Sequence, residues 1–506
     1  MHRRSLLSEL SFTRRAACLC GIVLACFGET RIAESNEAGT RPNIVLILAD
    51  DLGPTDPACY GSGYYKTPNI DRLAAEGMKF TDGYTCGPNC QPTRAALMSG
   101  QYGPRTGVYT VGGTDRFDTS KRPLVPVENV TSLPTKIMTV AEALNAAGYK
   151  TGMFGKWHLG DDEAHHPSKQ GFEEAIVSMG KHFDFATKPK VEIPKGTYLA
   201  DFLTDRAVDF IDRHQKEPFF LYVPHFGVHS PFQAKRDLIA KFQGKPAVGG
   251  HHDPTYAAMI ASVDESVGRI TAKLDELKLS ENTLVIFSSD NGGVGGYDRE
   301  GIAKAGGITD NAPLRGGKGM LYEGGVRCAY LFRRPGKIAA GSTCAEPICS
   351  LDLYPTLVEL AGASAPPKDV QPLDGVSYVS LLHGGGAGKL PREAIFWHFP
   401  GYLGAGADTW RTTPVGAVRV GDFKLLEFFE DNRLELYDLR NDVGQKTNLA
   451  TSMPDKAKEM HDRLVAWRAE VQAPMPTKRK AAQSGNDDKP VGAKKKKKRK
   501  AATTDE

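Results

Sequence analysis

Three runs of consecutive apolar residues stand out along the chain, and each ends in polar residues. Asn43-Ile44-Val45-Leu46-Ile47-Leu48-Ala49 runs into Asp50-Asp51. Phe219-Phe220-Leu221-Tyr222-Val223 runs into Pro224-His225-Phe226-Gly227-Val228-His229-Ser230-Pro231. Leu284-Val285-Ile286-Phe287-Ser288-Ser289 runs into Asp290-Asn291-Gly292-Gly293. Apolar runs without polar alternation read as strands covered on both faces, the pattern of a central parallel sheet. Between them the period changes to that of a helix. Thr67 to Phe80 places Ile70, Leu73, Ala74 and Met78 on one face behind Pro68, and Val140 to Ala147 is stopped by Gly148. Tyr256 to Leu277 predicts a long helix, and Lys150 to Phe154 a further short strand.

From about residue 386 the pattern alternates. Ala417-Val418-Arg419-Val420, Phe423-Lys424-Leu425-Leu426 and Leu434-Glu435-Leu436-Tyr437-Asp438 predict short antiparallel strands, followed by a helix from Pro454 to Val471. The expected architecture is α/β: a mostly parallel central sheet flanked by helices over 41–385, and a smaller antiparallel subdomain over 386–475. No internal repeat is visible.

The 506 residues carry a formal net charge of +4, but unevenly. Residues 477–506 hold eleven Lys and Arg against four Asp and Glu, with Lys494 to Lys498 consecutive, so the rest of the chain is near −3. A basic overall charge is therefore no argument that the folded body binds nucleic acid. The tail over 476–506, poor in apolar residues, is expected to be disordered.

Residues 1–34 read as a signal peptide. Arg3, Arg4, Arg14 and Arg15 precede an apolar run from Ala16 to Phe27 that is too short to span a bilayer. Thr13-Arg14-Arg15 hints at twin-arginine export, and Val23-Leu24-Ala25-Cys26 at lipoprotein cleavage, so the route stays open. No later stretch is long and apolar enough to cross a membrane, and the chain is expected to be periplasmic or secreted. Six of the nine Cys lie beyond the signal, a low density, with Cys344 and Cys349 the favoured bridge and the pairing left open by the sequence.

The candidate chemistry gathers at strand ends, where open α/β sheets place their ligands. Asp50 and Asp51 are either a solvated turn or a cation site, and two like charges closing a buried strand repel unless a cation lies between them. With Asp290 and Asn291 they offer hard oxygen ligands, which select Ca²⁺ or Mg²⁺ over zinc. Lys156 and His158 follow the strand from Lys150, and His225 and His229 lie in a loop stiffened by prolines. Lys318 sits in the Gly-rich loop Leu314-Arg315-Gly316-Gly317-Lys318-Gly319. Cys90-Gln91-Pro92-Thr93-Arg94 precedes the apolar run Ala95-Ala96-Leu97-Met98. Pro92 fits the first turn of a helix, so Cys90 is expected just ahead of the helix start, with Arg94 one turn on.

Together these motifs resemble the type I, formylglycine-dependent sulfatases of the alkaline-phosphatase-like superfamily. The resemblance runs from about 41 to 450. It rests on Asp50-Asp51, Cys90-x-Pro92-x-Arg94 with Leu97 and Gly100, and Gly155-Lys156-Trp157-His158. His229 before Pro231, Asp290-Asn291-Gly292, Lys318 and Leu436-Tyr437-Asp438-Leu439 complete it. It implies that a formylglycine-generating enzyme converts Cys90, and that the resulting diol attacks sulfur of a sulfate ester. It also implies one Ca²⁺ held by Asp50, Asp51, Asp290 and Asn291 and contacting residue 90. Arg94 and Lys156 would fix the diol, His158 would act as base, and Lys318 and His229 would bind sulfate, one of them protonating the leaving oxygen. Gln91 and Thr93 depart from the residues common at those positions. His225 is left as a neighbour or substrate contact.

Export together with this resemblance implies a sulfated polysaccharide or oligosaccharide as substrate, with specificity in loops such as 105–132, 161–198 and 400–415. Two other readings remain at this point: a phosphonate or phosphate ester hydrolase using the same aldehyde, and a secreted glycan-binding protein with an unmodified site.

Overall fold

The computed structural model describes residues 41–302, 307–406 and 409–479. The expected signal peptide, and the Lys-rich tail beyond residue 479, lie outside the described residues. Eight strands form one sheet whose order, edge to edge, is Ser342–Cys344, Met78–Phe80, Tyr330–Arg333, Thr283–Ser289, Asn43–Ala49, Phe219–Pro224, Lys150–Gly155 and Glu174–Val177. Tyr330–Arg333 runs antiparallel to both its neighbours, and every other pairing is parallel.

The first apolar run is the central strand, and all seven of its residues are buried. Alternate side chains serve opposite layers. Ile44, Leu46 and Leu48 pack with Leu97, Leu144 and Leu357, from the helices Cys90–Ser99, Val140–Ala146 and Leu353–Ala361. Val45, Ile47 and Ala49 pack with Leu203, Phe210, Ile260 and Val267, from the helices Leu199–Arg213 and Pro254–Glu276. Two apolar faces explain the absence of polar alternation in the sequence.

One helix is shorter than its periodicity predicts. Pro68–Glu76 is helical, but Met78–Phe80 is a strand paired with Tyr330–Arg333. At the break, a Cβ on Gly77 would lie 2.1 Å from the Phe332 carbonyl oxygen, so the chain turns where only glycine fits. Met78 continued the helical spacing but is buried from a strand, because strand pairing overrode local period.

The antiparallel sheet has the order Ala394–Phe399, Val415–Val420, Phe423–Phe428, Arg433–Asp438, the first strand being one the sequence reading missed. The helix Pro454–Glu470 packs on it through Met460, Leu464 and Trp467. Buried charges join this sheet to the loops of the larger one. Lys424 Nζ donates to Glu323 Oε1 at 2.8 Å with both side chains fully buried, and Arg327 and Tyr84 donate to Glu323 Oε2, each at 2.8 Å.

The expected Cys344–Cys349 bridge is corrected. All six described cysteines are free thiols. Cys344 packs with Phe80 and Tyr330 in the core of the large sheet, whereas Cys349 packs with Tyr84 and Trp397 under the antiparallel sheet. The two short strands that carry them belong to different sheets, so the side chains serve different cores.

Candidate active site

Four neighbouring parallel strands deliver the site. Their C-terminal ends carry Asp290-Asn291, Asp50-Asp51, the 225–229 loop and Lys156, in the spatial order of the strands. The register is close: Ala49 pairs with Ser289, and Leu48 with Pro224. At Gly155 the backbones approach closely, since a Cβ there would lie 1.9 Å from the Pro224 carbonyl oxygen. The next amide, Lys156 N–H, donates to that same oxygen at 2.8 Å.

Cys90 is the first residue of the helix Cys90–Ser99, which therefore starts one residue earlier than the sequence implies, with Asn89 extended at the N-cap. Its Sγ lies 3.3 Å from Asp50 Oδ1 and 3.9 Å from Asp51 Oδ1. Burial, then Asp290 and Asp50, push the Cys90 thiol well above its usual range, so it is held protonated. A protonated thiol is a poor nucleophile.

Cations and carboxylates alternate around it. Lys156 Nζ donates to Asp50 Oδ2 at 2.7 Å, and Lys318 Nζ to Asp51 Oδ2 at 2.9 Å. Arg94 is directed at Asp290, through Nε at 3.0 Å and Nη2 at 2.6 Å, and its Nη1 donates to the Lys156 carbonyl at 2.7 Å. Burial raises Asp51, but Lys318, His229 and Lys156 outweigh it and hold the carboxyl well below the usual range. For Asp290, burial and the adjacent Asp50 win over Arg94, and its carboxyl is pushed up to about 6.

The two histidines differ in fixation. His229 Nδ1 lies 2.7 Å from the Ser230 carbonyl, which can only accept, so Nδ1 carries the proton and Nε2 faces Asp51 Oδ2 at 3.7 Å. Burial, then Lys318, bring His229 down to about 4. His158 has positive φ, and its Nδ1 is buried without a partner. Burial, Lys156 and Arg94 push its ring well below the usual histidine range, so it is neutral and retains a lone pair.

One carboxylate oxygen from each of Asp50 and Asp51, the Cys90 sulfur and one imidazole nitrogen of His229 lie within 4.8 Å of one another. Asn291 Nδ2 donates to Asp51 Oδ1 at 2.8 Å, and Asn291 Oδ1 is buried without a partner. An orphaned buried acceptor beside two carboxylates fits a hard cation.

All the candidate residues except His225 therefore meet at one edge of the sheet. His225 is buried and its Nε2 contacts Ser266 Oγ at 2.9 Å, on the far side of the loop. Sequence reasoning missed the residues that support the site. His182 Nε2 donates to the His229 carbonyl at 2.8 Å, Tyr256 OH donates to the Asp51 carbonyl at 3.2 Å, and Tyr297 OH donates to the Lys318 carbonyl at 2.8 Å. Each acts through a backbone oxygen far away in sequence, which leaves no local pattern.

The family model described as Sulfatase matches residues 42–363, and the one described as N-sulphoglucosamine sulphohydrolase, C-terminal, matches 317–470. A protein from Formosa agariphila named Sulfatase is 35% identical, covering 87% of this chain and 90% of its own. N-acetylgalactosamine-6-sulfatase of Canis lupus familiaris is 35% identical over 71% of this chain and 68% of its own. The solved structure of Ps i-CgsB in complex with k-i-k-neocarrahexaose superposes with a TM-score of 0.71 at 31% identity, covering 86% of this chain and 94% of the other.

Proposed function

The chain belongs to the formylglycine-dependent sulfatase family of the alkaline-phosphatase-like superfamily, and from that premise we propose that it hydrolyses sulfate esters carried on polysaccharides or their oligosaccharides. The observation that carries the reading is the setting of Cys90. It lies at a helix start against Asp50 and Asp51, in a ring of Arg94, Lys156 and Lys318, where a thiol is inert and an oxygen nucleophile would be favoured.

Formylglycine made from Cys90 would supply a geminal diol as nucleophile. A Ca²⁺ held by Asp50, Asp51, Asp290 and Asn291 would lower the pKa of a coordinated hydroxyl and offset charge on the transferring group. Lys318 and His229 bind the sulfate oxygens, and Lys156 adds positive charge beside residue 90, so that charge developing during transfer meets preorganised cations. With Nδ1–H committed to Ser230, His229 donates to the leaving oxygen through Nε2 only from its doubly protonated ring, a state that a sulfate anion bound beside it favours. His158, neutral and with an unpartnered nitrogen, is the base that takes the proton when sulfate is released. Arg94, bound to Asp290, positions that carboxylate and the Lys156 backbone.

A glycan substrate is favoured by the extent of the match to Ps i-CgsB, whose structure was solved in complex with k-i-k-neocarrahexaose. We further propose that the protein is exported and that a formylglycine-generating enzyme acts on it. The test is turnover of an aryl sulfate against the matching aryl phosphate, on protein co-expressed with that enzyme, with mass spectrometry of the Cys90 peptide. Dominant phosphatase activity would sink the sulfatase reading, and an intact thiol with no turnover would support a binding protein.

A further inference from the structure

Two buried thiols outside the active site meet where no bond joins them. Cys86 Sγ lies 3.1 Å from Cys349 Sγ, inside the sum of two sulfur radii. The contact follows from strand pairing. Gly83–Tyr84 and Ile348–Cys349 form a two-stranded parallel ladder with Cys349 opposite Tyr84, and Cys86 is the second residue beyond its end. Both backbones are held. Cys86 N–H donates to Ser350 Oγ at 3.2 Å, and Cys349 N–H donates to Asp352 Oδ2 at 2.7 Å.

Other roles for the pair are poorly supported. Neither thiol belongs to a metal-ligand cluster among the described residues. Both are buried, and burial pushes the Cys86 thiol well above its usual range, so neither acts on a soluble substrate. A disulfide needs S–S near 2.05 Å, and side-chain rotations bringing each sulfur inward by about 0.5 Å would provide it.

We propose that Cys86 and Cys349 form a disulfide when the chain matures in an oxidising compartment. The oxidant is a dithiol–disulfide oxidase. One cysteine thiolate attacks a sulfur of the oxidase disulfide and forms a mixed disulfide. The second thiolate then displaces the oxidase sulfur. The chain loses two protons and two electrons, and the oxidase leaves as a dithiol. Because both sulfurs are buried in the folded protein, the exchange precedes closure of the core. The bond spans 263 residues and ties the loop entering Cys90 to the strand end before Ser350. It also leaves Cys90, facing Asp50 and Asp51, as the single thiol of its loop available for conversion.

The proposal stands apart from the sulfatase reading, and its test reads sulfur chemistry and stability. The full chain is exported to a periplasm that contains a thiol oxidase, denatured in iodoacetamide without reductant, digested and analysed by mass. The expected result is a Cys86–Cys349 peptide pair released by dithiothreitol, with Cys59, Cys328 and Cys344 alkylated. Recovery of Cys86 and Cys349 as alkylated thiols, or linked to other cysteines, overturns it. Cys349→Ser should lower the Tm by about 5 °C or more, and dithiothreitol should lower the wild-type Tm by as much while leaving the variant unmoved. An equal response of both proteins to dithiothreitol overturns it too. If the variant does not accumulate, the wild-type peptide map decides.

Discussion

Asn291 gives its amide Nδ2 to Asp51 Oδ1 at 2.8 Å while its own Oδ1 is buried with no partner. A buried amide oxygen without a donor is costly, and a cation between Asp50, Asp51 and Asn291 would remove that cost. The folded chain should therefore bind Ca²⁺ and the unfolded chain should not. Adding Ca²⁺ at 100 times its Kd to chelator-treated protein should stabilise the fold by about 2.7 kcal/mol and raise the Tm by several degrees. Asp51→Asn should lose most of that shift. A Tm indifferent to both Ca²⁺ and Mg²⁺ would remove the cation from the site.

Cys90 makes polar contacts with two carboxylates, so truncating it removes little apolar packing. Cys90→Ala should lower turnover at least about 10⁴-fold, the scale on which loss of a nucleophile is felt, with the Tm nearly unchanged. Cys90→Ser supplies a hydroxyl but no diol and should form a sulfated enzyme that does not turn over. Substantial steady-state activity in either variant would refute conversion of Cys90 as the source of the nucleophile.

What the sequence made legible was whatever depends on chain-local pattern. The continuous apolar run before Asp50 marked the central strand because both of its faces are covered, and polar residues at the ends of such strands marked the site. The Cys90 to Arg94 spacing placed an arginine one helical turn from the cysteine, but Arg94 is directed at Asp290, a long-range partner that spacing does not reveal. Pairings between distant segments were the part that could not be read. The strand Met78–Phe80 was absorbed into a helix because Met78 kept the helical period, and the cysteine pairing was drawn between near neighbours in sequence. The structure places Cys349 instead against Cys86. The sequence leaves His225 open as a neighbour of His229 or a substrate contact, and the loop's path sends it to Ser266 while His229 faces Asp51.

His229 and Lys318 both face Asp51 but are fixed differently, and the roles proposed for them can be told apart by leaving group. Lys318 is held by Asp51 at 2.9 Å, whereas His229 has Nδ1 committed to Ser230 and Nε2 at 3.7 Å from Asp51. A proton donor matters most when the leaving oxygen is basic. His229→Ala should therefore cost about 10-fold in kcat on 4-nitrophenyl sulfate but on the order of 10³-fold on a sugar sulfate. Lys318→Ala should weaken both substrates alike. If the dependence on leaving group follows Lys318, the two roles are exchanged.

The ion pair between Lys424 and Glu323 predicts a stability effect remote from the chemistry. Both side chains are fully buried, and the pair links the antiparallel sheet to the short helix Glu323–Val326, five residues beyond Lys318. Burial draws the Lys424 ammonium below its usual range, although Glu323 opposes this. Burial would raise Glu323, but Lys424, Arg327 and Arg419 hold it well below the usual range. Lys424→Met removes one cation and leaves the carboxylate dependent on Arg327 and Tyr84, which should destabilise the fold by about 3 kcal/mol. Adding Glu323→Gln to that variant removes the uncompensated charge and should restore part of the loss. Chemical unfolding of the two single variants and the double variant measures the coupling directly, and additive losses would mean that the pair contributes nothing of its own. Because Lys424 touches no residue of the ring around Cys90, kcat at 25 °C on an aryl sulfate should stay within about 3-fold of wild type while the Tm falls.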